Sequence, residues 1–475
     1  MRDFGRYSVA GSLLVNAPIA EGFVRLRKIH LVAVFMMPLS LLAAPAGATP
    51  GVSGGLTPSE LAAVGPAEPP QKLYKAPDVG SRAEPTPEAC VKVASQAKIK
   101  PSAGKSGRCA SIRPATEKEF QAELKRDAAK KPDLLQWSDS SFAPSATFPV
   151  PAWPVTCTST QGTELGWFTV SRRTACSHKV YYIEVIEIPT GRLIGTATVH
   201  NLVQTVVATD AVLIRGKAKW VVTNWTGVGL PERADGEGFG CFNGCGLTNY
   251  GVRQDNFDTW SSESDLDPFD KPASGQILDF PTESGITFFS SQWGLGQDGH
   301  HPYSVYINND TTRTRCDWIQ NAKAACIFFN HPGYVSWNHL KVPEFIRHIE
   351  RAFNSGLPGS YLTETYLHRL MDDTKRNQNG NKACPGSIPR PNNMQCDEYP
   401  FRSAYEGAFT SGATQARSYP GCQMPDPART GPTGWSRCFI NAGQNGSAGG
   451  TLSAAYSSER ILDGDRFQLG IGAHP

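Results

Sequence analysis

The sequence predicts an α+β protein, in which a β-rich N-terminal domain precedes a smaller C-terminal domain of mixed helices and strands. Two observations support this. Residues 140–335 contain runs such as KVYYIEVIEI and KWVVTNWTG, in which apolar and polar residues alternate and β-branched and aromatic types are frequent. After Trp337 the apolar residues follow the three- and four-residue steps of a helix. This change places a domain boundary between residues 335 and 340.

Residues 1–48 are predicted to form an export signal region. A positive segment, Arg25–Lys28, is followed by an apolar run, Leu31–Leu42, and by the small-residue cleavage site Ala46–Ala48. The apolar run is too short to span a bilayer. We therefore expect a secreted, extracellular protein with no membrane partner.

Removing this signal also removes the net charge. It holds five basic and two acidic residues, so the formal charge of +3 falls to zero after cleavage. A neutral chain does not support nucleic-acid binding through bulk electrostatics, although a local basic patch remains compatible with it.

All 12 cysteines follow residue 48, and an even number in an exported chain favours disulfides. The closely spaced candidates are Cys241/Cys245, Cys316/Cys326 and Cys422/Cys438. Zinc is the alternative for the first pair, but no second pair at close spacing accompanies it.

The remaining segments follow from composition. Residues 49–88 are rich in Pro, Ala, Gly and Ser and are predicted to be a disordered linker. Residues 89–139 form a short cysteine-containing segment with one charged helix, Glu117–Lys131. Residues 140–335 form the β-rich domain, for which a sandwich is one candidate architecture, and its role stays open.

The C-terminal domain, residues 340–475, contains a series of shorter signals. VPEFIRHIERAF has apolar residues at helical spacing and ends at Gly356–Gly359. WSRCFINA is typical of a strand, and the segment Gln444–Glu459 is typical of a helix. RILDGDRF predicts a turn that leads into a final strand.

The stretch CDEYPFRSAYEG places two acids, Asp397 and Glu398, beside a proline and an aromatic residue. Pro400 restricts Tyr399 to extended geometry, which predicts a strand end. Strand alternation would send the two carboxylates to opposite faces. A solvated turn is the ordinary interpretation of such a pair, and a hydrolytic site is the functional one.

These segments resemble one known family. Residues from about 366 to 468 are similar to the NucA/NucB family of secreted deoxyribonucleases. The resemblance is carried by Asp397–Phe401 with Ser403, by Glu406–Gly407, by Asn445 with Gly449–Gly450, and by Arg460 with Leu462–Asp465 and Phe467. Arg315–Asp317 with Cys326 and the segment from Leu367 to Cys384 also resemble longer members.

The resemblance implies a metal-dependent endonuclease acting on DNA, with a ββα-type metal site and Mg²⁺ or Mn²⁺ as cofactor. It points to Asp397 as the base that activates water, with Glu398 as the alternate. The implied metal ligands are Asn445, Gln444 and Glu406. The candidate substrate-binding residues are Arg402, His368 and Arg369, although a capped helix end would explain the last two equally well.

One departure from the family keeps a second function open. Family members commonly carry an acid before this asparagine and an arginine after it, where this sequence has Gln444 and Gly446. A neutral amide binds a hard cation less well than a carboxylate does. The alternative is a non-enzymatic secreted protein that binds a cell-wall or glycan ligand and carries a degenerate nuclease module. No protein partner is inferable.

Overall fold

The computed structural model describes residues 74–75, 107–130 and 166–471, with short gaps at 189, 209, 242–244, 249–250, 297–303 and 321–322. The predicted signal region and nearly all of the predicted linker lie outside the described residues. The described helices are α1 (Glu117–Lys130), α2 (Pro343–Asn354), α3 (Asp373–Ala383) and α4 (Ala442–Ser458).

Strands outnumber helices, so the α+β class is confirmed. The first half of the described chain contains β1 (Tyr74–Lys75), β2 (Arg108–Pro114), β3 (Gly166–Ser171), β4 (Thr174–Glu187), β5 (Arg192–Val207), β6 (Ile214–Gly227), β7 (Arg233–Cys241), β8 (Cys245–Thr248), β9 (Arg253–Asn256), β10 (Thr259–Pro268), β11 (Ile277–Phe289), β12 (Leu295–Gly296), β13 (Ser304–Asp317) and β14 (Ala325–Ile327). The second half contains β15 (Gly333–Ser336), β16 (Leu367–His368), β17 (Met394–Tyr399), β18 (Ala416–Arg417), β19 (Trp435–Asn441) and β20 (Arg466–Gly470).

The strands up to β14 form what we call the β-rich region. Its larger sheet runs in the order β1-β3-β4-β5-β6-β10-β8, and its smaller sheet runs β14-β13-β11-β7. Alternate residues of both sheets point into one shared core, where the rings of Trp260 and Phe288 meet edge to face at 5.1 Å. The runs rich in β-branched and aromatic residues form the predicted strands, and in the central strand β5 the residues from Ala197 to Val207 are buried on both faces.

Helix α1 confirms the charged helix predicted between residues 117 and 131. Its N-terminus is a capping box, in which the backbone N–H of Thr116 donates to Glu119 at 2.8 Å. Phe120 is the main buried residue of the helix and packs on Val180 of the larger sheet. Leu124 also packs there, and the buried Glu123 accepts from Tyr182, so apolar and polar contacts together hold the helix on the sheet.

The C-terminal region, from β15 to β20, has a second hydrophobic core. Parallel β15 and antiparallel β16 flank β20, and β19 lies between β17 and β18. Helices α2 and α4 pack on the β17–β19 pair. The predicted order of strand, strand and helix is therefore present as β17, β19 and α4.

Three disulfides lie within the described residues: Cys316–Cys326, Cys384–Cys396 and Cys422–Cys438. Two of the three predicted local pairs are confirmed. The side chains of the third, Cys241/Cys245, lie outside the described set. The Cys384–Cys396 disulfide ties the end of α3 to β17, next to the two acids.

All described residues belong to one compact unit, Thr57–Pro475. The two hydrophobic cores lie on either side of residues 329–334, but the boundary at 335–340 stays a prediction. Within the part of the chain that the structure describes, none of the helices combines the length and the apolar character that a membrane span requires.

Candidate functional site

A cleft of about 360 Å³ opens between β17, α3 and α4. It contains both carboxylates of the CDEYPF stretch, three arginines and one asparagine above an apolar floor. Its lining residues are Phe345, Arg369, Arg376, Cys396, Asp397, Glu398, Phe401, Arg402, Ser403, Asn445, Ala448, Gly449, Leu452, Ser453 and Tyr456. We call this set the cleft.

Strand β17 brings the two acids to the cleft in different environments. It pairs antiparallel with β19, with Asp397 opposite Cys438 and Glu398 opposite Arg437. Asp397 is only 5% exposed, whereas Glu398 is half-buried. The strand ends at Tyr399, and the Tyr399–Pro400 peptide bond is cis. Alternation gives the two side chains different surroundings, although both residues line the cleft.

Asp397 is held by a buried histidine of α2. Nδ1 of His348 lies 2.6 Å from Oδ2 of Asp397, and Nε2 of the same ring lies 3.0 Å from Oγ of Ser436. An ionised carboxylate can only accept, so Nδ1 supplies the proton of the first hydrogen bond. His348 is 1% exposed. The carboxylate is thus fixed in orientation from behind the cleft.

Glu398 lies on the other side of β17, close to the Cys384–Cys396 disulfide. Burial raises the pKa of its carboxyl to about 8, and the nearby charge of Asp397 adds to this effect. The positive charge of Arg402 and a backbone hydrogen bond from the same residue act in the opposite direction. Near neutral pH this side chain is mostly protonated.

This raised pKa makes stability pH-dependent. The carboxyl has an ordinary pKa of 4.5, so between about pH 4.5 and 8 the folded state holds a proton that the unfolded state releases. The free energy of unfolding should therefore fall as the pH rises through this window. Glu398→Gln removes the effect, and its melting temperature should gain on the wild type from pH 5 to pH 9.

Thermal melts followed by circular dichroism measure this difference. The matched control is Asp270→Asn, which changes an exposed carboxylate on the β-rich region. Its melting curve should shift in parallel with the wild type at every pH. Parallel behaviour of Glu398→Gln would contradict the raised pKa.

Arg369 enters the cleft from the segment that follows β16. Its guanidinium stacks on the ring of Tyr456, with the central carbon 3.7 Å from the ring centroid. The residue is 8% exposed, and Nε and Nη1 find no hydrogen-bond partner among the described residues. Burial lowers the pKa of this guanidinium, which shows that its charge is poorly solvated. An anion in the cleft would relieve this cost.

The other two arginines of the cleft are more exposed. Arg402 is exposed and donates to Asn377, while Arg376 is half-buried and donates to Asp373 at 2.7 Å. Both come from elements beside the acids, one from the loop after β17 and one from α3. The cleft therefore carries positive charge from three different segments of the chain.

The remaining predicted residues lie at different places. Asn445 lines the cleft and donates through Nδ2 to Gln395 at 3.0 Å, which leaves its amide oxygen as a potential ligand. Gln444 instead accepts from the backbone N–H of Glu344 at 2.8 Å and so caps the start of α2. Glu406 accepts from Nδ1 of His368 at 2.7 Å, and neither residue belongs to the lining set.

Whether the cleft can hold a divalent cation depends on its oxygen donors. The described residues contain no group of three or more His, Cys, Asp or Glu side chains placed to hold a metal ion. Mg²⁺ is commonly held by one or two carboxylates, with water and substrate phosphate completing the shell. Glu398 and Asn445 supply one carboxylate and one amide oxygen, which are donor types that such an ion takes.

Sequence reasoning missed His348, which it treated as part of an ordinary helix. A signal was present, because His348 lies three residues after Phe345 and four before Ala352, on the buried face. A histidine on such a face needs polar partners, and a buried carboxylate nearby is one candidate.

Comparisons with known proteins concern only the C-terminal region. No curated protein and no solved structure matches the chain. A family model does match, over residues 351–470, and this range contains both acids, Asn445 and all three arginines of the cleft. The matching family is deoxyribonuclease NucA/NucB, which confirms for the C-terminal region the resemblance seen in the sequence.

Proposed function

We propose that this protein is a secreted DNA endonuclease that hydrolyses phosphodiester bonds with the help of a divalent cation. The observation that carries this proposal is the composition of the cleft. Two carboxylates, an asparagine amide and three arginines converge there, within a region that matches a deoxyribonuclease family. Hydrolysis of a phosphodiester needs both a group that removes a proton from water and positive charge around the phosphate.

The arginines account for substrate binding without a large basic surface. Arg369, Arg376 and Arg402 all line the cleft, and guanidinium groups match the oxygens of a phosphate with paired hydrogen bonds. Nε and Nη1 of Arg369, which have no hydrogen-bond partner among the described residues, make this residue the most favourable anchor. A chain that is neutral overall can thus bind DNA through a local site.

We assign the general base to Asp397. Its carboxylate is fixed by His348, so one oxygen stays oriented for a water molecule held against the phosphate. Glu398 is the less favourable base because its pKa of about 8 keeps it protonated near neutral pH. A protonated carboxyl donates a proton and cannot accept one.

Asn445 and Glu398, once ionised, are the residues that would hold the cation. When bound, a Mg²⁺ or Mn²⁺ ion neutralises charge on the scissile phosphate. A cation also favours the ionised form of a neighbouring carboxyl, so the raised pKa of Glu398 does not prevent binding. Gln444 and Glu406 already have other partners and are weaker candidates for this role.

Export is part of the proposal. None of the cysteines in the described part of the chain is free, and paired cysteines persist in oxidising compartments. Together with the predicted signal region, this supports an extracellular location.

Digestion of supercoiled plasmid by the full-length secreted chain tests the proposal. We expect nicking and linearisation with Mg²⁺ or Mn²⁺ and none after addition of a chelator. Arg402→Met should slow cleavage by weakening phosphate binding, whereas Arg347→Met, an exposed change on α2 outside the cleft, should not. An intact plasmid at every metal concentration would contradict the enzyme and would favour the non-enzymatic binding protein.

A further inference from the structure

A buried ionic contact joins the β-rich region to a turn that is hydrogen-bonded to the backbone of Arg369. We call the segment Leu462–Asp465 the Asp465 turn. The carboxylate of Asp465 accepts from Nη1 and Nη2 of Arg315, at 2.7 and 2.8 Å, and from Nη2 of Arg172, at 2.8 Å. Both arginines belong to the β-rich region, and the side chains of all three residues are at most 9% exposed.

The two arginines also bind backbone oxygens outside the Asp465 turn. Arg315 also donates to the backbone oxygen of Arg460, and Arg172 donates to the backbone oxygens of Glu459 and His331. Burial alone would raise the pKa of Asp465, but the hydrogen bonds and charges of the two arginines outweigh it, so its pKa lies below the ordinary value. The two arginines therefore hold Asp465 in place.

The Asp465 turn in turn holds the backbone of Arg369. The N–H of Arg369 donates to the backbone oxygen of Asp465 at 2.9 Å, and the N–H of Gly464 donates to the oxygen of Arg369 at 2.8 Å. Gly464 has a φ of 79°, a conformation that favours glycine. The N–H of Met371 donates to the carboxylate of Asp463 at 2.8 Å. Two of three consecutive amides therefore end on this turn.

We propose that Arg315 and Arg172 position Arg369 for DNA, so that the β-rich region is a working part of the nuclease site. The proposal rests on the function proposed above. The two guanidinium groups contact the carboxylate of Asp465. The backbone of the Asp465 turn contacts the backbone of Arg369, whose side chain lines the cleft. Arg315 and Arg172 touch no lining residue through their side chains in the contacts described, and they act as positioning residues.

A double-mutant cycle in the full-length chain tests this route. Arg315→Lys keeps the charge but loses the two-pronged hydrogen bond, and Arg369→Met removes the anchor. Binding of a fluorescein-labelled DNA duplex is measured by anisotropy, in Ca²⁺ and in chelator. We expect Arg369→Met to weaken binding by about 10- to 100-fold, as loss of a charged hydrogen bond does. Arg315→Lys should weaken binding in the wild type and have no further effect in Arg369→Met.

Hydrogen exchange gives a readout that does not depend on DNA. The amides of residues 369–371 should exchange faster in Arg315→Lys than in the wild type. The matched control is Arg313→Lys, an arginine of the same strand whose side chain is 50% exposed and pairs with Asp279. This control should change neither exchange at 369–371 nor DNA binding.

The outcomes separate the two proposals. Unchanged exchange at 369–371, or additive losses in the cycle, would overturn the positioning role. If Arg315→Lys speeds exchange at 369–371 but the wild type binds no DNA in either buffer, the proposed function is wrong instead. If Arg315→Lys and Asp465→Asn both abolish folding, the contact serves only the fold and the positioning role is wrong.

Discussion

Asp397→Asn is expected to reduce metal-dependent DNA cleavage by about 10²- to 10⁴-fold, the usual contribution of a general base. Asparagine keeps the size of the side chain, and its oxygen can still accept from Nδ1 of His348, so the fold should be preserved. What it loses is the ability to take a proton from water. Initial rates of plasmid nicking at saturating Mg²⁺ measure the effect.

Two comparisons make this result specific. At saturating Mg²⁺, Glu398→Gln, which removes a proposed cation ligand, should cost less than Asp397→Asn, and the reverse order would contradict Asp397 as the base. Asp270→Asn changes an exposed acid far from the cleft along the chain and should leave the rate unchanged. Equal rates in the wild type and in both cleft mutants would reduce the acid pair to an ordinary strand end.

His348→Ala is expected to lower the free energy of unfolding by about 3–5 kcal/mol, since removal of one partner leaves a buried charge unpaired. Asp397 would lose its hydrogen bond, and Ser436 would lose the contact with Nε2. A cavity would also remain beneath α2. Chemical denaturation of the full-length chain measures the loss.

The control for this mutation lies next to it on the same helix. Arg347 is exposed, so Arg347→Ala should change the free energy of unfolding by less than about 0.5 kcal/mol. If His348→Ala is as stable as Arg347→Ala, the histidine does not hold Asp397 and its assigned role is wrong. A combined Asp397→Asn and His348→Ala variant should lose less than the sum of both, because the unpaired charge is then absent.

The long strands were predictable because β-branched and aromatic residues are frequent in them and alternate with polar residues over part of their length. Helix α2 was predictable from the spacing of Phe345, Ile346 and Ile349, which lie on its buried face. Helix α3 was not predicted, since DTKRNQNGNKA has almost no apolar periodicity. It is fixed instead by its N-cap, Asp372, whose side chain accepts from the N–H of Lys375.

A second anchor of α3 is also invisible to patterns. Asn379 is 1% exposed, donates to the backbone oxygens of Arg402 and Ala404, and accepts from the N–H groups of Phe409 and Thr410. A polar residue that organises a loop by hydrogen bonds cannot be distinguished in sequence from one that faces water. This is why the wall of the cleft that carries Arg376 could not be predicted.

The candidate residues divide along a similar line. Asp397, Glu398 and Asn445 come from motifs attached to regular elements, and the structure gathers them in the cleft. Gln444 is adjacent to Asn445, but successive residues of a helix point in directions about 100° apart, and it caps α2. Adjacency in sequence therefore gave the right helix and could not decide which side chain faces the cleft.

The Asp465 turn also bears on which segment of the chain could be transferred to another protein as a unit. The family match covers residues 351–470 and so includes Asp465, while Arg172 and Arg315 lie outside it. It also includes β20 but omits β15, the parallel neighbour of that strand. A gene fusion that transferred only the matched segment would carry the Asp465 carboxylate without its two arginine partners. It would also leave β20 without its parallel neighbour. The segment that matches the family is therefore shorter than the segment that could be transferred with its contacts intact.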